Sequence, residues 1–292
     1  MSPRRPLPSG PPLETLEARQ LMEIFRAEAG LAFPEDSAFV LERRLRDRLA
    51  AHNLRSFGQY IELLRAPSGQ RELEEALEVV TTHETYFFRE EYQLRAFREQ
   101  VLPQIQTAAE SRRRLSVWSA GCSTGEEAYT VAMLLAQTGL FTGWDVRVLG
   151  SDISRRCVAA ARKAVYGKAA FRVVPREYRQ QYFVDDEEGT HVTPEIRNMC
   201  TFAQMNLLDP DRASVIGRVD AVFCRNVLIY LDNEARKRVI ATLYDRLVPG
   251  GYLMLGHSES LLNVSSAFEV VHLREDLVYR KPERESARFR TE

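Results

Sequence analysis

The chain has 292 residues, and its 40 basic and 41 acidic side chains leave a formal net charge of −1. This balance excludes a general nucleic-acid binder, because such proteins carry a basic excess. Its content of 45% apolar and 28% charged residues is that of a folded protein and argues against disorder over the body of the chain. No apolar run is long enough for membrane insertion, and the four cysteines form no CxxC pair, so we expect a reduced, cytoplasmic protein.

The composition of the two ends of the chain predicts disordered tails, and the apolar pattern that follows the first tail predicts helices. Residues 1–12 hold two arginines and five of the 13 prolines without an apolar core, which favours a disordered tail over a signal peptide. Residues 283–292 are charged and predict a second tail. Residues 13–80 predict an all-helical domain, with helices over 14–29 and 56–64 and an apolar stripe at helical spacing between them, formed by Ala38, Leu41, Leu45 and Leu49.

Strands and helices alternate after residue 114, and residues 81–95 predict a linker before this region. The predicted strands are 115–120, 145–150, 219–224, 252–255, 268–273 and 277–279, and the predicted helices are 126–138, 154–165 and 233–247. Such alternation predicts an α/β domain over residues 96–282, with a mostly parallel sheet between helices on both faces. An acidic turn at 185–189, between β-type segments, predicts a small antiparallel insertion near 180–204.

The loop after the first predicted strand has the composition of a ligand site. Two glycines, Gly121 and Gly125, allow a tight turn and a close approach of the backbone to a ligand. Glu126 and Glu127 follow in the first helical turn, where they would repel a pyrophosphate and suit hydroxyls or a cation. The loop is not GxGxxG, which disfavours a dinucleotide. A capping box, from Ser123 to Glu126 or from Thr124 to Glu127, is the alternative explanation of these acids.

Polar residues also end two other predicted strands. Asp152 follows the second strand, where an acid can bind both hydroxyls of a ribose, although it can equally start a turn before the next helix. Arg225, Asn226 and Tyr230 follow the strand at 219–224 and need partners if they are buried. The five histidines show no metal-ligand spacing along the chain, so the sequence predicts no metal site.

Five motifs in order give the chain a resemblance to a known family. They are TTHETYFFRE at 81–90, VWSAGCSTGEEAY at 117–129, GSDI at 150–153, FCRNVLIY at 223–230 and GHSE at 256–259. Over residues 15–281 the chain resembles the chemotaxis receptor methyltransferases, the CheR-type protein-glutamate O-methyltransferases. The resemblance implies a helical N-terminal domain, and a class I S-adenosylmethionine-dependent methyltransferase domain with a Rossmann-like sheet and an inserted β-subdomain.

The family's site residues can be carried to matching positions of this chain. The resemblance places cofactor contacts on Thr85, Arg89, Glu127, Asp152, Asn206, Leu207, Arg225 and Asn226, and it places Arg89 and Tyr230 beside the methyl transfer. His83 stands where the family often has Asn, and it is expected to contact the cofactor too, since either side chain can form hydrogen bonds. The implied cofactor is S-adenosylmethionine, with S-adenosylhomocysteine as the product.

The resemblance also implies the substrate and the partner. The enzyme would methylate glutamate carboxylates on the cytoplasmic domains of transmembrane chemoreceptors for sensory adaptation. Residues 37–57 hold five arginines against two acids, and a basic helix there can dock an acidic receptor helix through Arg43, Arg44, Arg46 and Arg48. We expect a monomer. The alternative is a non-catalytic S-adenosylmethionine-binding signalling adaptor.

Overall fold

A computed structural model describes residues 11–283, apart from the side chain of Glu35. The chain divides into two compact units, Met1–Thr82 and His83–Glu292. Of the predicted tails, residues 1–10 and 284–292 lie outside the described residues. Across the described part, no helix combines the length and the apolar character that crossing a membrane requires.

From residue 11 onward, the first unit contains four α-helices, which are α1 (Thr15–Ala29), α2 (Ala38–Ala51), α3 (Phe57–Arg65) and α4 (Gln70–Val80). The predicted stripe on α2 is confirmed from its second member onward, because Leu41, Leu45 and Leu49 are buried. One polar cluster lies within this unit. The buried Glu72 of α4 accepts hydrogen bonds from Arg48 and from the Tyr60 hydroxyl, and it lies 2.6 Å from the His52 ring.

The second unit contains eight further helices and ten strands within the described residues. The helices are α5 (Glu91–Ala96), α6 (Leu102–Ala109), α7 (Glu126–Thr138), α8 (Arg155–Lys163), α9 (Arg176–Tyr182), α10 (Pro194–Met199), α11 (Pro210–Ser214) and α12 (Asn233–Arg246). The strands are β1 (Arg114–Ala120), β2 (Asp145–Asp152), β3 (Val165–Tyr166), β4 (Phe183–Asp185), β5 (Thr190–Val192), β6 (Cys200–Gln204), β7 (Val219–Cys224), β8 (Leu247–Leu255), β9 (Glu269–His272) and β10 (Leu277–Arg280).

Seven of these strands form one sheet in the order β6-β2-β1-β7-β8-β10-β9. The five strands from β6 to β8 run parallel, and β10 is antiparallel to both of its neighbours. The predicted mostly parallel sheet is therefore confirmed. β1 and β7 are apolar and buried along most of their lengths, as expected of strands covered on both faces.

The prediction for residues 180–204 is only partly right. A small antiparallel sheet does exist, but it has the order β3-β5-β4, so its third strand comes from Val165–Tyr166. Helix α10 follows it, and Cys200–Gln204 is the edge strand β6 of the large sheet, parallel to β2. A short β-type run carries no information about which sheet it joins, and here the parallel partner is about 50 residues away in sequence.

Candidate active site

The candidate site lies where β1 and β7 end. After β1 the chain adds β2 and β6 on one side of β1, and it then crosses to β7 on the other side of β1. The neighbouring strands β1 and β7 therefore mark a topological switch point. Open α/β sheets bind ligands in the crevice at such a point. The loops after β1 and β7 touch there: a Cβ atom on Gly121 would lie 2.4 Å from Cγ2 of Val227, and the φ of Gly121 is +82°. Only glycine allows this approach.

Ser123 connects the β1 loop to three other segments. Its backbone N–H donates to Asp152 Oδ2 at 2.8 Å, and its hydroxyl donates to the backbone carbonyl of His83 at 3.0 Å. Its Oγ also lies 3.9 Å from Sγ of Cys157. The φ of Ser123 is +49°, an uncommon value for a residue other than glycine, and the surrounding bonds hold it there.

The capping-box explanation of Glu126 and Glu127 is wrong. Helix α7 has Gly125 as its N-cap, in the left-handed region, with no side-chain cap. The buried Glu126 accepts a hydrogen bond from the Thr124 hydroxyl at 2.6 Å. Glu127 instead reaches β1, where its Oε1 accepts from the Ser119 hydroxyl at 2.7 Å.

Arg225 is the centre of a buried network. Its side chain is 2% exposed, and its guanidinium lies 2.8 Å from the carboxylate of Glu90 and 3.3 Å from that of Glu127. It also donates to Oε1 of Gln93 at 2.9 Å and to the backbone carbonyl of Arg89 at 2.6 Å. One side chain thus positions two acids and the main chain at Arg89.

The two acids respond differently to this environment. Burial alone would raise the pKa of Glu90, but the charge and hydrogen bond of Arg225 and a hydrogen bond from Asn226 outweigh it, so this pKa lies below its ordinary value. For Glu127 burial dominates and raises the pKa, although Arg225 and Ser119 oppose the shift.

Glu259 fixes the loop after β7. Its carboxylate accepts hydrogen bonds from the backbone N–H groups of Asn226 at 2.7 Å, Val227 at 2.9 Å, Ile229 at 3.2 Å and Gly256 at 2.8 Å. A carboxylate can accept four such bonds, and here they hold Asn226 at a φ of +58°. The GHSE turn therefore shapes the site through the backbone.

The remaining predicted cofactor residues occupy the same end of the sheet. Asp152 is buried at the end of β2, where Oδ1 accepts from the N–H of Ser154 at 2.9 Å and its carbonyl accepts from Met205 at 2.8 Å. Asn206 and Leu207 lie just after β6, beyond Met205, and are half-buried. Thr85 and His83 are half-buried in the segment before α5.

The two predicted catalytic residues lie on loops of this site. Arg89 is half-buried and donates to the carbonyl of Glu84 at 3.1 Å, and its guanidinium lies 5.7 Å from the ring centre of Tyr86. Tyr230 is 38% exposed, in the short turn that follows the segment fixed by Glu259.

The predicted docking arginines differ in their contacts. Arg44 donates to the carbonyls of Val80 and Thr81, Arg46 pairs with Glu42, and Arg48 pairs with Glu72. Arg43 is exposed. Three of the four arginines therefore make contacts inside the first unit, and Arg43 is the one that faces solvent.

Sequence reasoning did not predict how five residues shape the site, namely Glu90, Gln93, Ser119, Ser123 and Glu259, although all but Gln93 lie within the quoted motifs. A signal existed for Glu90 and Gln93, because a buried arginine at the end of an apolar strand requires acidic and polar partners. The sequence could not say which partners, since Glu90 and Arg225 are 135 residues apart. It also could not show that the donor atoms of His83, Asp152 and Cys157 lie within 4.8 Å of one another.

Comparisons with known proteins identify the family. The family described as "CheR methyltransferase, SAM binding domain" matches residues 83–277, and the one described as "CheR methyltransferase, all-alpha domain" matches residues 16–81. The chain belongs to the CheR methyltransferase family. It is an S-adenosylmethionine-dependent methyltransferase.

Relatives of this CheR methyltransferase match it over most of its length. Chemotaxis protein methyltransferase 2 of Vibrio cholerae is 32% identical over 262 residues, which cover 89% of this chain and 91% of the relative. Chemotaxis protein methyltransferase 1 of Pseudomonas aeruginosa is 31% identical, with coverages of 88% and 96%. A solved magnesium protoporphyrin IX methyltransferase from Synechocystis is 17% identical, covers 75% of this chain and 91% of its own, and has a TM-score of 0.34, so it adds nothing to the assignment.

The chemistry of the CheR crevice fits the cofactor. S-adenosylmethionine carries a sulfonium, an ammonium, a carboxylate and two ribose hydroxyls, and its net charge is positive. All of these groups except the carboxylate call for anions or hydrogen-bond acceptors. Four carboxylates lie in the described crevice, those of Glu90, Glu127, Asp152 and Glu259. Backbone N–H groups already occupy Glu259, and the buried Arg225 pairs with Glu90 and Glu127. An acid-rich crevice of this kind suits a cationic nucleoside better than a pyrophosphate.

Proposed function

We propose that this CheR methyltransferase transfers the methyl group of S-adenosylmethionine to glutamate side chains of chemoreceptors, forming methyl esters for sensory adaptation. The family and the names of the relatives support this assignment. One observation carries the choice of an acidic acceptor: Arg225 bonds to the backbone carbonyl of Arg89 at 2.6 Å, while the guanidinium of Arg89 remains partly exposed. A cation is thereby held at the site, where it can orient a carboxylate.

The proposed roles of the cofactor-binding residues follow from their positions. Asp152, at the end of β2, would accept hydrogen bonds from the ribose hydroxyls. Glu127 would face the cationic part of the cofactor, with its orientation set by Ser119 and Arg225. The other proposed contacts are His83, Thr85, Arg89, Asn206, Leu207, Arg225 and Asn226.

The proposed reaction needs no general base from the protein. A glutamate side chain has an unperturbed pKa of about 4.3, so it is ionised and nucleophilic at neutral pH. S-adenosylmethionine supplies the methyl group. Arg89 would align the carboxylate, and Tyr230 would bound the methyl position or donate a hydrogen bond. Alignment of this kind can contribute roughly 7–11 kcal/mol in favourable cases.

The test uses methyl-labelled S-adenosylmethionine and membranes that contain chemoreceptors. Label that is released as methanol by mild base marks a carboxylate ester, whereas base-stable label marks N-methylation and contradicts the proposal. A complete lack of label would contradict chemoreceptors as the substrate. Arg89→Gln is expected to reduce labelling by at least about tenfold, equal to about 1.4 kcal/mol in the barrier. The matched control is Arg114→Gln, since Arg114 is exposed at the start of β1.

We propose that the receptor docks on the exposed face of α2. On that face Arg43 is exposed and Phe39, one helical turn earlier, is 71% exposed. Arg43→Glu should slow receptor methylation at low salt while the affinity for S-adenosylhomocysteine stays unchanged. Arg19→Glu, a charge reversal at an exposed position of α1, is the control. Equal labelling rates for the two variants would rule out this docking face.

A further inference from the structure

Three side chains with different donor atoms meet beside the β1 loop. A ring nitrogen of His83, a carboxylate oxygen of Asp152 and Sγ of Cys157 all lie within 4.8 Å of one another. They come from three separate segments: the stretch before α5, the end of β2 and the first turn of α8. Asp152 and Cys157 are buried, and His83 is half-buried.

Hydrogen bonds to the backbone keep this cluster in place. The carboxylate of Asp152 accepts from the N–H of Ser123 through one oxygen, at 2.8 Å, and from the N–H of Ser154 through the other, at 2.9 Å. The N–H of Cys157 donates to Oγ of Ser154 at 3.0 Å, and the Ser123 hydroxyl bonds to the carbonyl of His83. The donors are thus supported in the way that metal ligands are.

The donor set selects a class of metal ion. Magnesium and calcium take oxygen ligands, so one nitrogen, one oxygen and one sulfur disfavour them. Imidazole, carboxylate and thiolate together are ligands of zinc, and three protein ligands leave its fourth position open. Zinc–ligand distances of about 2.0–2.3 Å place tetrahedral ligand atoms roughly 3.3–3.6 Å apart. Donor atoms that lie within 4.8 Å of one another therefore close in by up to roughly 1.2–1.5 Å when the metal binds.

We propose that His83, Asp152 and Cys157 form a zinc-binding site, and that zinc bound there competes with S-adenosylmethionine for Asp152. On binding, the S–H bond of Cys157 breaks, a sulfur–zinc bond forms and the proton passes to solvent, with no change of oxidation state. Metal binding itself is independent of the proposed function. The competition between zinc and the cofactor rests on the proposed function, because this competition requires Asp152 to hold the ribose.

Cobalt titration of the full chain tests the metal site without reference to activity. A chelator first removes any bound metal from the protein. Co²⁺ is then added while the near-ultraviolet absorption band of thiolate-to-cobalt charge transfer is recorded. Zn²⁺ added afterwards should abolish this band by displacing the cobalt. Cys157→Ser should remove the band. His83→Asn, which introduces the residue that the family often carries, should weaken binding by about tenfold or more. Cys200→Ser is the control, because Cys200 is half-buried on the edge strand β6.

The outcomes separate the metal site from the proposed function. No band in the wild type, or a band that survives Cys157→Ser, overturns the site. A saturating concentration of S-adenosylhomocysteine should weaken Co²⁺ binding by at least about tenfold, which corresponds to about 1.4 kcal/mol. Product that binds the metal-free protein but leaves the Co²⁺ affinity unchanged overturns the competition. Product that fails to bind the metal-free protein at all overturns the proposed cofactor role, whereas the cobalt band still decides the metal site.

Discussion

Replacing Arg225 with methionine tests the central network of the site. The change keeps an unbranched apolar side chain in place of the aliphatic part of arginine and removes the guanidinium, so Glu90 and Glu127 remain as buried carboxylates without their common cation. The two acids are 15% and 14% exposed, and water can screen them only weakly. The variant also loses the hydrogen bonds to Gln93 and to the carbonyl of Arg89.

The expected loss of stability is large. Removing one partner of a buried ion pair costs about 3–5 kcal/mol, because the remaining charge is left uncompensated. In the variant the unpaired carboxylates should have raised pKa values in the folded state, above the value of about 4.3 in the unfolded chain. A raised folded pKa favours the protonated folded state, so the penalty is complete at high pH and decreases as the pH falls through that pKa. The destabilisation should therefore be larger at pH 8 than at pH 5.

Tryptophan fluorescence during urea unfolding measures the loss of stability in the second unit, which contains Arg225. The chain has two tryptophans, Trp118 in β1 and Trp144 just before β2, and both belong to the second unit. The control is Arg114→Met, since Arg114 pairs with Asp145 at the surface with side chains 60% and 39% exposed. An exposed pair of this kind contributes at most about 1 kcal/mol.

Three results would contradict the reasoning about Arg225. The first is a destabilisation no larger than that of the Arg114 control, and the second is a penalty that grows as the pH is lowered. The third is an unchanged affinity for S-adenosylhomocysteine, because a released Glu127 should weaken product binding by about tenfold or more, or about 1.4 kcal/mol.

Three other substitutions have defined outcomes. Glu259→Gln leaves one acceptor oxygen for four backbone N–H groups, so it should cost about 1–3 kcal/mol in urea unfolding and weaken product binding; unchanged values for both would refute its role. Gly121→Ala places a Cβ against Val227 at a positive φ and should cost about 1–3 kcal/mol, which thermal unfolding measures. Burial would raise the pKa of Glu72, but bonds from Arg48, Tyr60 and His52 lower it, so the wild type should lose stability as the pH falls from about 4.3 through this lowered pKa. Glu72→Gln should lack that acid-induced loss, as followed by circular dichroism, and a loss equal to that of the wild type would contradict this account.

The sequence predicted the sheet well where its patterns were strong. The strand at 219–224 matches β7 residue for residue, and the helix at 126–138 matches α7. Continuous apolar runs and a helical apolar face are local signals, and burial in a parallel sheet reinforces them. The helix predicted over 154–165 likewise begins at the right place, because Ser154 is the N-cap of α8 and its side chain accepts a hydrogen bond from the N–H of Cys157.

The errors arose where a contact between distant residues decided the outcome. Glu127 has the spacing of a capping residue, yet a carboxylate that finds a buried arginine and a hydroxyl gains more than one at a helix end. Residues 200–204 have the composition of any strand, and their pairing with β2 determines their role. The sequence also could not show that Arg44 bonds to the carbonyl of Val80 and Arg48 to Glu72, because these contacts depend on the packing of α2 against α4.

The position of Glu259 in the chain has a consequence for biosynthesis. The central strands β1, β2 and β7 are complete once residue 224 has been made, but the acceptor for the N–H groups of Asn226 and Val227 arrives 32 or more residues later. A nascent chain halted between these points has the middle of the sheet without the clamp that shapes its ligand loop. Competence to bind the methyl donor should thus emerge late during translation, after the sheet nucleus and only when the GHSE turn has left the ribosome.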